Sequence, residues 1–412
     1  MKTLLTKNRK LQLALGAMAM GAAPLLQAGS PALTGLVAQA DNAESAFAAP
    51  AGMSRLDGTH LTVQTMYITS LADFEVDQDE TTISGGDPSK GKDPMIIPSI
   101  YYVRQFDDRW HGGLSLTVPS GFGSDYGGTW SGRYETVDFS LVYVALTPAV
   151  SYRVNDKLSL GVAMGINYTA EDSEVKIPQP GAERDGKITS DLDGVGVNVT
   201  LSLLYEFTRQ TRAGISWTSD SDADLEGNVR LRNLEPGFDK VATELGIKDI
   251  NTEITNTLPQ RLLAGVYHEF DSGNYFTVDG MWMKFSDFSV SNIELDGNDV
   301  NVSVPEIYND IYAGTVGMGF PANERLTYKI GAMYVSKAVD DEDRTFSIRM
   351  DRMWGVGAGV SYVLNNGNTV DFNANVINVG DASVDQPSIG GQVVGENDDP
   401  WAVMMELTYH IK

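Results

Sequence analysis

The sequence predicts an all-β fold, a 14-stranded antiparallel transmembrane β-barrel with a small helical hatch, or plug, of N-terminal chain in its lumen. Three observations predict it: alternation with period two, long strands, and connections that alternate between short and long. Alternation is what a sheet with two unlike faces requires, because successive side chains point to opposite sides. Over 157–168 the even positions read Leu158, Leu160, Val162, Met164, Ile166 and Tyr168, and the odd ones are small or polar. Residues 195–207 repeat this with Val195, Val197, Val199, Leu201, Leu203, Tyr205 and Phe207. The last strand does so with Val403, Met405, Leu407, Tyr409 and Ile411. A soluble sandwich alternates too, so other features must choose the solvent. Runs of about 10 to 15 residues exceed the roughly 5–6 typical of soluble strands and suit a tilted membrane span. The apolar face often ends in an aromatic (Tyr152, Tyr168, Trp282, Tyr362, Tyr409), as an interfacial girdle does. The opposite face is small and polar, which fits a lumen.

Strands are expected near 58–70, 95–106, 109–119, 137–154, 157–170, 187–207, 210–220, 257–270, 275–287, 309–320, 325–337, 346–364, 369–381 and 400–411. Tight turns at Asp107-Asp108, Asn155-Asp156, Thr208-Arg209, 271–273, 321–324 and 365–368 are rich in Asn, Asp, Gly and Pro. Long segments at 71–94, 120–136, 171–186, 221–256, 288–308, 338–345 and 382–399 alternate with them. Short periplasmic turns and long outer loops give this pattern, and an even strand number leaves both termini at the inner end. Lipid offers the backbone no partner, so the sheet has to close on itself.

The chain before the first strand divides in two. Lys2, Lys7, Arg9 and Lys10 precede an apolar run from Leu11 to Leu26, and Ala28 offers a small residue for cleavage. Residues 1–28 therefore read as a secretory signal peptide. Residues 29–57 do not alternate; Ala32–Ala40 and Asn42–Ala48 read as short helices, with Asp41 and Glu44 spaced as a capping box. So small a segment cannot build its own core, and it either plugs the barrel or dangles in the periplasm. Gly355, Gly357, Gly359 and Ser361 on one lumenal face leave room for the plug. Residues 58–412 form the barrel.

Composition narrows the function. The formal charge is −25, and removal of the leader's four cations leaves −29, a surface that repels nucleic acid. The absence of cysteine excludes disulfides and thiolate metal sites. His60, His111, His268 and His410 are scattered and no G-x-S-x-G elbow occurs, so neither an enzyme nor a cofactor is expected. Asp220, Asp222 and Asp224 imitate the start of a calcium loop, but Leu225 and Leu231 fill the positions that need Gly and Glu. No metal site is predicted; a solvated acidic outer loop among lipopolysaccharide is.

The chain resembles the FadL/TodX family of outer-membrane transporters of long-chain fatty acids and aromatic hydrocarbons. The resemblance rests on landmarks in family order: Ala40-Asp41-Asn42-Ala43, Ala49-Pro50-Ala51-Gly52, Trp130 with Gly132-Arg133-Tyr134, and Leu146 to Arg153. Leu258-Pro259, Asp279 to Trp282, Phe285 to Phe288 and Asp351 to Gly355 continue it. The resemblance implies a hatch built around Pro50, Ala51 and Gly52. It also implies energy-independent uptake, with ligand captured at apolar outer loops and released sideways into the bilayer through a kinked third strand. Two departures are Ala49 where the family's hatch has Asn, and Ile411-Lys412 where its last strand ends in an aromatic.

Particular residues then become candidates, each with a plainer alternative. Pro119, Ser120, Gly121, Phe122 and Gly123 follow the third strand; proline lacks a ladder donor, so pairing should fail and open the wall laterally, or the strand simply ends there. Leu234, Phe238, Val241 and Leu245 fall on one face of a helical stretch, Pro236 to Ile247, where they capture ligand or pack on the rim. Arg133 and Arg349 are candidates to meet a fatty acid's carboxylate, or else form structural ion pairs. Long-chain fatty acids are the favoured cargo, with neutral alkanes or aromatics as the alternative. An open porin and an outer-membrane lipid hydrolase are the other rivals. The only partners expected are the hydrophobic small molecule and the surrounding lipid and lipopolysaccharide, around a monomer.

Overall fold

The computed structural model describes residues 34–89, 94–179, 181–288, 290–295, 298–299, 308–346 and 351–412. The leader expected at 1–28, the start of the first expected helix and Arg349 lie outside them. The strands are β1 (Thr59–Ser70), β2 (Met95–Gln105), β3 (Trp110–Asp125), β4 (Asp138–Arg153), β5 (Leu158–Ile177) and β6 (Gly186–Glu206). Then β7 runs as Thr211–Thr218 and Ser221–Arg232, and β8 as Asp249–Leu258 and Arg261–Glu269. The circuit ends with β9 (Tyr275–Met283, continued by Val290–Leu295), β10 (Ile311–Pro321), β11 (Leu326–Val335), β12 (Met353–Val363), β13 (Thr369–Asn378) and β14 (Trp401–Ile411). Each pairs antiparallel with its neighbours, and β1 pairs with β14 from Leu61↔Ile411 to Ser70↔Ala402, closing a barrel of 14 strands.

Two breaks give β7 and β8 their halves. The inner half of β7 pairs with the inner halves of β6 and β8, and the outer half pairs again after Ser219-Asp220; Pro259, which has no N–H to donate, marks the matching interruption in β8. The region 221–256, expected as a loop, is thus mostly a strand extension beyond the wall, capped by helix α2 (Pro236–Glu244). Buried Leu192, Ala223, Leu225 and Ile254 hold its sheet together. The acidic residues lie on its other side, where Asp222 and Asp224 accept hydrogen bonds from Thr257 and Thr255. Strand β3 also continues past its expected end to Asp125.

The outward face is apolar. Val162, Val195, Val197, Leu201 and Val356 are all about half exposed, in the band where lipid covers them. Aromatic residues flank this band. Trp110 lies 4.6 Å from Tyr152 at the inner end, and Trp354 lies 5.3 Å from Trp401 at the outer end. Two such girdles fix the height of the barrel in a membrane.

The N-terminal segment lies inside the barrel. Helix α1 (Ser45–Ala48) and a 3-10 helix (Pro50–Arg55) are buried, in a cluster of Phe47, Met53 and Leu56 with Tyr101, Val103 and Ala163 of the wall. Burying one such side chain stabilises by about 1.5–3 kcal/mol. The expected Asp41 cap does not form; Asn42 Oδ1 instead accepts from the Glu44 N–H at 2.8 Å, since an Asx turn two residues long reaches that donor first. Gly355 and Gly359 do not receive the segment, since a Cβ on either would meet residues of β13. Gly161 and Gly113 do: a Cβ on Gly161 would lie 2.2 Å from Ala51 N, and one on Gly113 would lie 2.5 Å from Met53 Sδ.

Candidate transport route

The lumen has two chemistries. Its inner half is polar: Lys329 pairs with Asp371 at 2.5 Å, His410 Nδ1 lies 2.9 Å from Thr62 Oγ1, and Asn373 donates to Glu406 at 2.9 Å. A cavity of about 220 Å³ lined by Lys329, Asp371, His410, Thr62, Asp41 and Lys412 opens toward the inner end. Its outer half is apolar. Met66, Met281, Met283, Met333, Met353 and Met404 meet Leu36, Ile68, Ile97, Leu141, Phe285 and Phe288 in one buried cluster. Unbranched thioether chains fill irregular space and repack readily, which suits a route for oily molecules of varied shape.

Between the halves lies the N-terminal segment, anchored by polar contacts to several strands. Ala51 N–H donates to Ser202 Oγ at 2.7 Å, and Ser54 Oγ donates to Ser159 Oγ at 2.7 Å. Gly35 N–H donates to Asp279 Oδ2 at 2.6 Å, and Arg212 Nε donates to Ala38 O at 2.5 Å. Arg55 pairs with Glu206, and Arg153 donates to the Ser54 carbonyl. Pro50, Ala51 and Gly52 are buried at the centre of this floor.

One seam of the wall is incomplete. Strands β2 and β3 pair only from Ile100↔Leu116 to Gln105↔His111. Beyond that, β2 continues to Met95 along β1, while β3 continues to Asp125 along β4. A bulge between Thr117 and Ser120 starts the divergence, with Val118 and Pro119 opposite a single residue of β4. The expectation that pairing fails at 119–123 needs a correction of side. Ser120, Gly121, Phe122 and Gly123 pair with Tyr143, Val142, Leu141 and Ser140 of β4, because the bulge absorbs the missing proline donor. Only the side facing β2 is left open. Both lips, Ile97 with Met95 and Val118, belong to the apolar cluster of the outer lumen.

Phe238, Val241 and Leu245 on α2 and just beyond it are 49%, 53% and 66% exposed, so they do not pack on the rim. Leu234 is half-buried, with Cδ2 close to Gly186. Arg133 is committed elsewhere: Nε pairs with Asp185 at 2.9 Å, Nη1 donates to Ser84 O and Trp130 O, and Nη2 to Tyr134 at 2.8 Å. Burial and the Asp185 carboxylate raise the Tyr134 phenol above its usual range. Arg133 thus organises an outer loop and is not free for a ligand. The apolar outer lumen escaped sequence reasoning, although a signal was present. Where strands approach their outer ends both faces become apolar, as in Met281-Trp282-Met283, Met333-Tyr334-Val335 and Met404-Met405.

Comparison with known proteins agrees with this geometry. A long-chain fatty acid transport protein of Escherichia coli O6:H1 (strain CFT073) is 21% identical over 372 residues, covering 83% of this chain and 82% of the relative. The crystal structure of a Pseudomonas aeruginosa FadL homologue superposes with a TM-score of 0.81 at 19% identity, covering 92% of this chain and 96% of that one. The Ralstonia pickettii toluene transporter TbuX superposes with a TM-score of 0.67 at 18% identity, covering 94% and 99%. The family model described as outer membrane protein transport protein (OMPP1/FadL/TodX) matches residues 19–410. The chain therefore belongs to the OMPP1/FadL/TodX family, non-enzymatic β-barrel channels of the bacterial outer membrane that transport hydrophobic compounds.

Proposed function

We propose that this channel takes up long-chain fatty acids and releases them sideways into the outer membrane. The observation that carries the reading is the incomplete β2–β3 seam, whose two lips are continuous with the apolar cluster of the outer lumen. An oily molecule entering from outside meets the exposed Phe238, Val241 and Leu245, then methionine side chains, then a gap in the wall with lipid beyond it. It need not cross the polar inner half. The segment 29–57 acts as a hatch, with Pro50, Ala51 and Gly52 at its centre, and keeps small solutes from leaking through. Residues 1–28 act as the export leader. The relatives named for long-chain fatty acids support that cargo over neutral hydrocarbons, which the same apolar lining would also accept.

The test is accumulation of labelled oleate in Gram-negative cells that lack their own fatty-acid channel. Cells making this protein should accumulate oleate. A variant in which residues 119–123 become a regular alternating strand should insert normally and accumulate little. No accumulation despite verified insertion would end the fatty-acid reading, and unchanged accumulation by the variant would end lateral release.

A further inference from the structure

We propose that Arg261 is a carboxylate anchor, the head-group site that distinguishes an acidic lipid from a neutral one of the same length. The proposal rests on the uptake reading above and adds the residue that selects within it. Arg261 opens the inner half of β8, and its side chain shares the inward face with Leu263, Gly265 and Tyr267. It is 9% exposed. Among the described residues its guanidinium has no ion-pair partner, and Nε is buried without a hydrogen-bond partner. Its one close neighbour of note is the Phe47 ring of the hatch helix, 5.3 Å from Cζ.

Such an arrangement is costly unless something completes it. A buried charge loses its hydration, and a ring face returns only a small part of that. Among the described residues the two other deeply buried arginines are provided for within the chain. Arg212 donates to Ala38 O, and Arg344 donates to Ser383 O at 2.7 Å and pairs with Asp341 at 2.8 Å. Among the described residues Arg261 has no such acceptor, which leaves the guanidinium, Nε above all, available to an anion brought from outside.

The surroundings define which anion. Arg261 lines a small cavity with Phe47, Pro119, Thr147, Leu258 and Met283. Thr147 Oγ1 is likewise buried without a partner, so a carboxylate finds a second donor in the same space. Leu258 and Met283 pack in the apolar cluster, where the tail would lie, and Pro119 is the bulge residue of the open seam. The cavity holds about 20 Å³, room for roughly one water, so an arriving head group displaces the Phe47 ring. A neutral hydrocarbon offers nothing to the charge and leaves the desolvation cost uncompensated, which is selection by an unmet buried group.

The experiment compares oleate with oleyl alcohol, which have the same tail, binding to the protein in lipid nanodiscs by tryptophan fluorescence, at a pH where oleate is ionised. The wild type should prefer oleate by at least about tenfold, the scale of a charge-assisted hydrogen bond. Arg261→Met should lose the preference by weakening oleate binding, and Arg261→Lys should keep part of it. Gel mobility with and without heating verifies that each variant is folded. If Arg261→Met does not fold, carbon-13 NMR of carboxyl-labelled oleate on the wild type decides: the bound carboxyl should stay ionised to lower pH than in nanodiscs alone. The proposal is overturned if Arg261→Met keeps the preference, if the wild type binds both ligands equally, or if the bound carboxyl titrates as in lipid. Equal binding leaves the uptake reading intact, whereas binding of neither ligand ends both.

Discussion

Two hairpins of this barrel differ in how far they zip. Strands β5 and β6 pair through 20 consecutive positions, from Leu158↔Tyr205 to Ile177↔Gly186, and extend beyond the membrane band. Strands β2 and β3 stop after 6. The first hairpin has no proline in either strand, while the second carries Pro98 on one side of its break and Pro119 on the other. In lipid an open seam is expensive, because unpaired backbone groups find no water. Among the described strands this seam, with apolar side chains on both lips, is the feature on which the proposed lateral release rests.

The comparison can be broken by making the two hairpins alike. Deleting Pro119 removes the extra residue of the bulge and lets β3 run straight. Oleate uptake should fall by at least about tenfold, a change in barrier near 1.4 kcal/mol, with the heat-modifiable gel shift retained. A second variant acts on the floor: Gly161→Val places carbon where Ala51 N stands 2.2 Å away. Overpacking of about 1–3 kcal/mol should lift the hatch, and ion conductance in planar bilayers should rise without loss of the barrel.

Smaller effects sharpen the picture. Ser202→Ala removes the acceptor for the Ala51 N–H and should loosen the floor by about 1 kcal/mol, read as faster hydrogen exchange over 50–55. Glu44 gives that floor a pH dependence. Its carboxyl is held well above its ordinary 4.5, first by burial and then by Glu406, Asp371 and Asp41, with Lys329 opposing. A raised carboxyl favours the protonated form in the docked state. Its contribution to docking is therefore full below pH 4.5 and is lost as pH rises through the raised value. Exchange over 45–55 should speed up with pH beyond the intrinsic rate change in the wild type, and Glu44→Gln should flatten that trend. Least of all, Phe238→Ser should slow uptake only at low ligand concentration, by about twofold, since the proposed capture on the outer helix would rely on weak apolar contact.

The wall was legible in the sequence because lipid leaves backbone no alternative and because the faces of each strand differ. Turn residues then set the strand boundaries to within a few positions at the inner end. Outer ends were less legible, since β5, β7 and β8 run on as sheet where apolar alternation has already faded. The floor was half legible: Pro50 to Gly52 marked it, yet which glycines receive it depends on strands far apart in the chain. Gly161 and Gly113 look like any other small lumenal residue. Arg133 looked available because its partner Asp185 is 52 residues away, across a loop. Arg261 looked unremarked for the opposite reason, since having no partner is a property that only the assembled lumen reveals.

The β1–β14 seam joins Leu61 to Ile411, so the first and last strands must meet before the cylinder exists. Closure over that span is what gives β1 and β14 their second neighbours, and a pairing so distant in sequence carries the largest loop-closure cost in the wall. The N-terminal floor precedes β1 and lies within the cylinder, with Ala51, Ser54 and Arg55 held by β5 and β6. Assembly therefore has to wrap the wall around a segment made first, and the eleven residues of β14 seal it in.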